Sequence, residues 1–185
     1  MIVLSFLVGL FARQELVISV QSVAFTLLGI FYVGWLLSFV LLLRFRGPEY
    51  VFYLFGVVWL GDAAALVFGQ LFGRHQLAPR LSPGKTIEGA VGGLLGSLCG
   101  ATLVGRWLLG HFTLTQCLAV GCLLAVLGQL GDLSASLVKR SSGVKDSGGL
   151  IPGHGGILDK VDGILFGAPA LYYYVVYVIG QELPS

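Results

Sequence analysis

Long apolar runs broken by short polar stretches give this chain its pattern. The hydrophobic positions fall into five segments, roughly 16–43, 51–73, 87–109, 114–138 and 161–180. Each approaches or exceeds the roughly 20 apolar residues that a helix needs to cross a bilayer. Between them lie RFRGPEY, then GRHQLAPRLSPGK, a short turn at Gly110 and His111, and KRSSGVKDSGGLIPGHGGILDKVD at 139–162. The first segment is long enough to tilt, or to break near Gly29 or Gly34. The leading MIVLSFLVGLF is too short to span unaided and reads as a partial helix. The expected fold class is all-α: a polytopic transmembrane helix bundle of about five full spans plus a partial N-terminal helix. Residues 1–49 form its N-terminal membrane helices and 50–185 its main membrane region.

Composition agrees with an integral membrane protein. Of 185 residues 56% are apolar and 11% charged, and the mean hydropathy is +0.91. A net charge of +2 is too small to suggest a nucleic-acid partner. Cys99, Cys117 and Cys122 lie inside apolar runs without CxxC spacing, so they read as small helix packers rather than metal ligands. Gly92, Gly96 and Gly100, one turn apart, read as a face where two membrane helices approach closely. Such glycine-rich faces also make a homodimer plausible. Tyr172, Tyr173, Tyr174 and Tyr177 read as interface anchors.

Charge bias orients the bundle. Alternating spans put 1–15, 74–86 and 139–160 on one side, with Arg13, Arg74, Arg80, Lys85, Lys139, Arg140, Lys145 and Lys160. Arg44, Arg46 and Arg106 are left on the other, so the richer side is expected to be cytoplasmic. Both polar loops then share that face.

Several acidic residues resist a purely structural reading. Asp62 sits in mid-span, and Asp132 lies about two turns inside its helix end. An ionisable group at such depth costs at least ~2.5 kcal/mol and normally faces a polar cavity or a partner. For Asp62 a structural ion pair is the alternative. Asp132, Ser136, Lys139 and Arg140 form one helical stripe, while Asp159 and Asp162 share a face of the next helix. Carboxylates from two helices suit Mg²⁺, which takes oxygen ligands and often adds substrate phosphates. Lys139, Arg140, Lys145, Lys160 and His154 surround them, Asp146 adds a further acid, and glycines let backbone N–H groups approach an anion. SPGKTIEG looks like the end of a P-loop. However, Pro79 stands where its first glycine belongs and no strand is expected before it. Ser82, Lys85 and Thr86 remain as phosphate or nucleotide contacts, with Ser82 as the expected N-cap and Glu88 in the first turn.

At this point a family resemblance enters. SASLVKRSSGVKDSGGLIPGHGGILDKVD is similar to the signature of the phosphatidate cytidylyltransferases, also called CDP-diacylglycerol synthases: S-x-x-K-R, then K-D, then P-x-H-G-G-x-x-D-R-x-D. All fixed positions from Ser136 to Asp162 match, except that Lys160 stands where Arg is usual. GDAAALVFGQLFGRHQLAPRLSPGKTIEG resembles the family's other conserved region, with Ala63, Leu66 and Ala135 as departures. The resemblance implies an enzyme of phospholipid biosynthesis in the bacterial inner membrane, its site facing the cytoplasm. It would join CTP and phosphatidic acid into CDP-diacylglycerol and pyrophosphate, with Mg²⁺ and room for a second, monovalent or divalent, cation. Acids matching Asp132 and Asp159 are tied to the metal in that family. Lys139, Arg140 and Lys145 would hold phosphates beside Asp146, His154 and Asp162, with Ser82, Lys85, Thr86 and Asp62 on the nucleotide side. A CTP-dependent lipid kinase or an archaeal-lipid cytidylyltransferase could use similar parts. An ion-coupled transporter could use Asp62 and Asp132, but has no need of the GHGG–Asp–Asp stretch.

Overall fold

The computed structural model describes residues 16–144, 147, 156 and 158–180; the side chains of 16–19, Asp159 and Lys160 lie outside the description. The partial N-terminal helix expected over the first residues therefore falls outside it too. Among the described residues five stretches are long and apolar enough to cross a membrane: Val20–Arg46, Pro48–Phe72, Ile87–Leu108, Leu114–Ser141 and Val161–Ile179.

The first stretch joins α1 (Leu16–Gly29), a π-helical segment (Ile30–Trp35) and α2 (Leu36–Arg46). Between Gly29 and Gly34 the helix is rewound rather than broken, a local widening that π-helical hydrogen bonds allow. Gly47 separates α2 from α3 (Pro48–Phe72), where Pro48 opens the helix at no hydrogen-bonding cost. Past Gly73 the chain forms a hairpin of β1 (Gln76–Ala78) and β2 (Ser82–Thr86), then enters α4 (Ile87–Leu108). Thr113 and Gln116 form a reciprocal capping box at the start of α5 (Leu114–Ser141). The last helix, α6 (Leu158–Tyr174), contains Pro169 and continues as a second π-helical segment (Val175–Ile179).

The hairpin corrects two sequence expectations. A strand does precede the SPGKT segment, and Ser82 opens β2 instead of capping a helix. Backbone pairing draws 82–86 into extended conformation, so Thr86 is the last residue before α4. Its Oγ1 accepts the Gly89 N–H at 3.0 Å and caps the helix. The P-loop reading still fails, because β1 returns antiparallel to β2.

The glycine face holds as read. Gly96 of α4 packs where a methyl would meet the Leu60 carbonyl oxygen of α3 at 2.9 Å, and Gly100 lies over Val57 and Leu60. Backbones approach this closely only where side chains are absent, which gains dispersion contact that lipid would not supply. The buried core gathers Leu43, Tyr50, Tyr53, Leu109 and Leu171 near the end where α2 meets α3 and continues along the helices through Val57, Leu124 and Ile164. The outer surfaces carry exposed Phe45, Leu103 and Trp107, as lipid-facing helices do. Of the cysteines only Cys117 packs inside; Cys99 and Cys122 face outward. Tyr173 and Tyr177 are exposed and stacked, whereas Tyr172 and Tyr174 turn in against the core.

Candidate functional site

At the hairpin end of the bundle, α3, α4, α5, α6 and the hairpin enclose an open cleft of about 590 Å³. Asp62 of α3, Asp132 of α5 and Asp162 of α6 all line it, beside Lys85 and Thr86 of β2. At ~1.5 Å per residue, Asp62 lies about 15 Å from the Phe72 end of its helix, near mid-membrane depth.

Local sequence explains the convergence. Gly131 presses its bare backbone against the Asp162 carbonyl, so α5 and α6 cross closely just where each carries an aspartate. Asp162 is 7% exposed, and its Oδ1 accepts the Gly163 N–H at 2.8 Å. Gln129, three residues before Asp132 on the same helix face, donates from Nε2 to the Ala90 carbonyl at 2.9 Å and ties α5 to α4. Behind Asp62 lies a second space of about 20 Å³, reaching the buried Ser97 and large enough for one water. A carboxylate at that depth thus has the polar surroundings it needs.

The hairpin is fastened at both ends. At its root the Glu88 carboxylate accepts from the backbone N–H of Arg74 at 3.1 Å and of His75 at 3.3 Å, and pairs with His75 Nδ1 at 2.7 Å. At its tip Arg140 Nε donates to the Leu81 carbonyl at 3.2 Å. Between these anchors Lys85 reaches over to Asp132 and forms an ion pair. The Arg140 bond places the hairpin and the end of α5 at one end of the bundle, the shared side that alternating spans assign to them.

Not every expected residue enters the cleft. Asp62, Asp132, Asp162, Lys85 and Thr86 do. Ser82 stands at the far end of β2 and Lys139 and Arg140 at the end of α5, outside the lining. Asp159 belongs to the first turn of α6, but its side chain lies outside the description. Lys145, Asp146 and His154 lie outside the described residues altogether.

Sequence reading missed Trp59, Leu66, Gln70 and Gln129, all part of the wall. Trp59, Leu66 and Gln70 recur at helical spacing from Asp62, and that face could have been read from the pattern. It also missed Tyr32, whose hydroxyl donates to the Gly131 carbonyl at 3.4 Å. No local signal marks Tyr32; only tertiary packing brings it there.

Chemically the cleft offers hard oxygen ligands and a cation, with no thiol or imidazole in its wall among the described residues. Among the described residues no three acidic, histidine or cysteine side chains gather tightly enough to hold an ion by themselves. The donor set still fits Mg²⁺, which needs only one or two carboxylates when waters and substrate phosphates complete its shell.

Fold and site together define a polytopic membrane-helix bundle with a charged cleft at one end. The model of the cytidylyltransferase family matches residues 1–178, and the chain belongs to that family. A phosphatidate cytidylyltransferase of Staphylococcus saprophyticus is 42% identical over 160 residues, 86% of this chain and 62% of that protein. Those of Staphylococcus haemolyticus and Staphylococcus aureus (strain COL) are 44% and 43% identical over 153 residues, 83% of this chain and 59% of theirs. The chain thus spans 59–62% of the length of these relatives.

Proposed function

We propose that this protein transfers a cytidylyl group from CTP to phosphatidic acid, giving CDP-diacylglycerol and pyrophosphate. One observation carries the reading: three aspartates from three membrane helices and a lysine from a fastened hairpin meet in one cleft. A triphosphate, a metal and a lipid headgroup need that combination of charges at a membrane surface. The half-exposed Trp59 and Leu66 on the same wall offer an apolar side to a lipid. Family membership and the relatives' names support the same substrates.

In this reading a phosphatidate phosphate oxygen attacks the α-phosphorus of CTP. The new P–O bond forms as the bond to the β-phosphate oxygen breaks, and pyrophosphate leaves with that electron pair. Lys85 and the Thr86 hydroxyl contact the phosphates, while Asp132, Asp162 and Asp159 are the carboxylates that would hold Mg²⁺. When bound there, the metal would supply positive charge against the phosphates during transfer. Asp62 faces the cleft from greater depth and limits how far a charged headgroup descends. No covalent enzyme intermediate is needed; positioning and charge stabilisation suffice. The cleft faces the cytoplasm of a bacterial inner membrane, a reading supported by the eight basic residues against three counted along the sequence.

The test incubates purified protein in detergent with phosphatidic acid, Mg²⁺ and CTP labelled at the α- or the γ-phosphate. Lipid label from α-labelled CTP alone is expected. Lipid label from γ-labelled CTP alone, with a lipid alcohol present, would replace this reading with a kinase. No label from either would reject both.

A further inference from the structure

Lys85 is the only lysine or arginine in the cleft wall among the described residues, and it shares that wall with three aspartates. Its ammonium rests on Asp132, with the two side chains 26% and 36% exposed. Three carboxylates in a partly desolvated cleft repel one another, and a cation held on one of them relieves that repulsion. Asp132 is also a carboxylate to which the proposed function assigns the metal. An ammonium and a divalent ion cannot both have full use of the same oxygens. A metal arriving alone must therefore displace Lys85 from Asp132 while bringing no new negative group for it, leaving only Asp62 and Asp162 in the same wall.

A metal arriving with a nucleotide meets a different situation. The triphosphate brings new negative oxygens, and a lysine side chain is a point charge on a flexible stem that can turn toward them. The backbone need not move, because Glu88 holds the root of the hairpin and Arg140 its tip. We propose that Lys85 is a resident counter-cation, one that competes with divalent metal for Asp132 and passes to the nucleotide phosphates when metal and nucleotide bind together. The inference rests on the proposed metal–nucleotide site and deepens it. By linkage, metal and nucleotide then strengthen each other's binding, and Lys85 is the source of that coupling.

The test measures Mn²⁺ binding to the detergent-solubilised protein by the paramagnetic resonance of free Mn²⁺, with and without CTP and without lipid. Lys85→Gln keeps the stem and removes the charge; Lys85→Arg keeps the charge. Without nucleotide, Lys85→Gln should bind Mn²⁺ about three- to ten-fold more tightly than wild type, the scale of losing a competitor from a partly exposed ion pair. CTP should tighten Mn²⁺ binding in wild type and Lys85→Arg, but much less in Lys85→Gln. Adding Asp132→Asn to Lys85→Gln should abolish the gain. Equal or weaker Mn²⁺ binding by folded Lys85→Gln, with wild type binding normally, overturns the inference and leaves the metal site standing. If Lys85→Gln fails to fold, Lys85→Met takes its place under the same criterion. Absence of Mn²⁺ binding in wild type, with or without CTP, overturns both.

Discussion

Replacing Gly131 by alanine tests how finely the helix crossing sets the cleft. The added methyl would strike the Asp162 carbonyl oxygen and stand 3.3 Å from both the Asp162 carbonyl carbon and Phe166 Cδ2. Restoring an ordinary C···O separation of about 3.3 Å requires α5 and α6 to part by about 1 Å. Overpacking of this kind costs ~1–3 kcal/mol, and the better helix propensity of alanine returns about 1 kcal/mol of it. Stability should therefore fall only slightly. Activity has no such offset: Asp132 and Asp162 would separate, and a misplacement of about 1 Å near reacting groups costs on the order of 100-fold in rate. Gly128, one turn earlier on α5, is the control, since a methyl there meets nothing within 4 Å. The assay pairs initial rates of α-label transfer from CTP with thermal unfolding in the same detergent. Gly131→Ala should lose about 100-fold in rate while Gly128→Ala stays within about two-fold of wild type. A fully active Gly131→Ala, or equal loss in both variants, would refute the crossing argument.

Further expectations address single side chains. Tyr53 is fully buried and its hydroxyl has no hydrogen-bond partner among the described residues, so Tyr53→Phe should leave the unfolding temperature unchanged or raise it; a clear fall would reveal a missing partner. Asp162→Asn keeps the oxygen that accepts the Gly163 N–H but removes the charge. It should unfold like wild type yet lose transfer activity by about 100-fold or more, and retained activity would remove Asp162 from the site. Glu88→Ala releases the root of the hairpin. It should raise KM for CTP and lower kcat/KM by about ten-fold, and speed hydrogen exchange at the Arg74 and His75 amides. Unchanged exchange there would show that the hairpin is held by other means.

Much of this protein is legible in the order of its residues because a bilayer imposes a simple rule. Backbone polar groups in lipid must be satisfied within each segment, so a long apolar run has little choice but a helix. The spans, the glycine face of α4 and the suspicion attached to Asp62, Asp132 and Asp162 all follow from that rule and its violations. The 136–162 signature likewise pointed to the family before any packing was known. What the sequence left open was decided by contacts between distant segments. The hairpin forms because 76–78 finds 82–86, and it stays in place through Glu88 and Arg140. Local capping preference alone had favoured Ser82, and pairing overrode it in favour of Thr86. Tyr32 and Gln129 join the site through neighbours 99 and 39 residues away along the chain. Above all, the Lys85–Asp132 pair joins residues 47 apart in sequence. Charge type can be read from a chain, but which charges meet is settled only where helices cross.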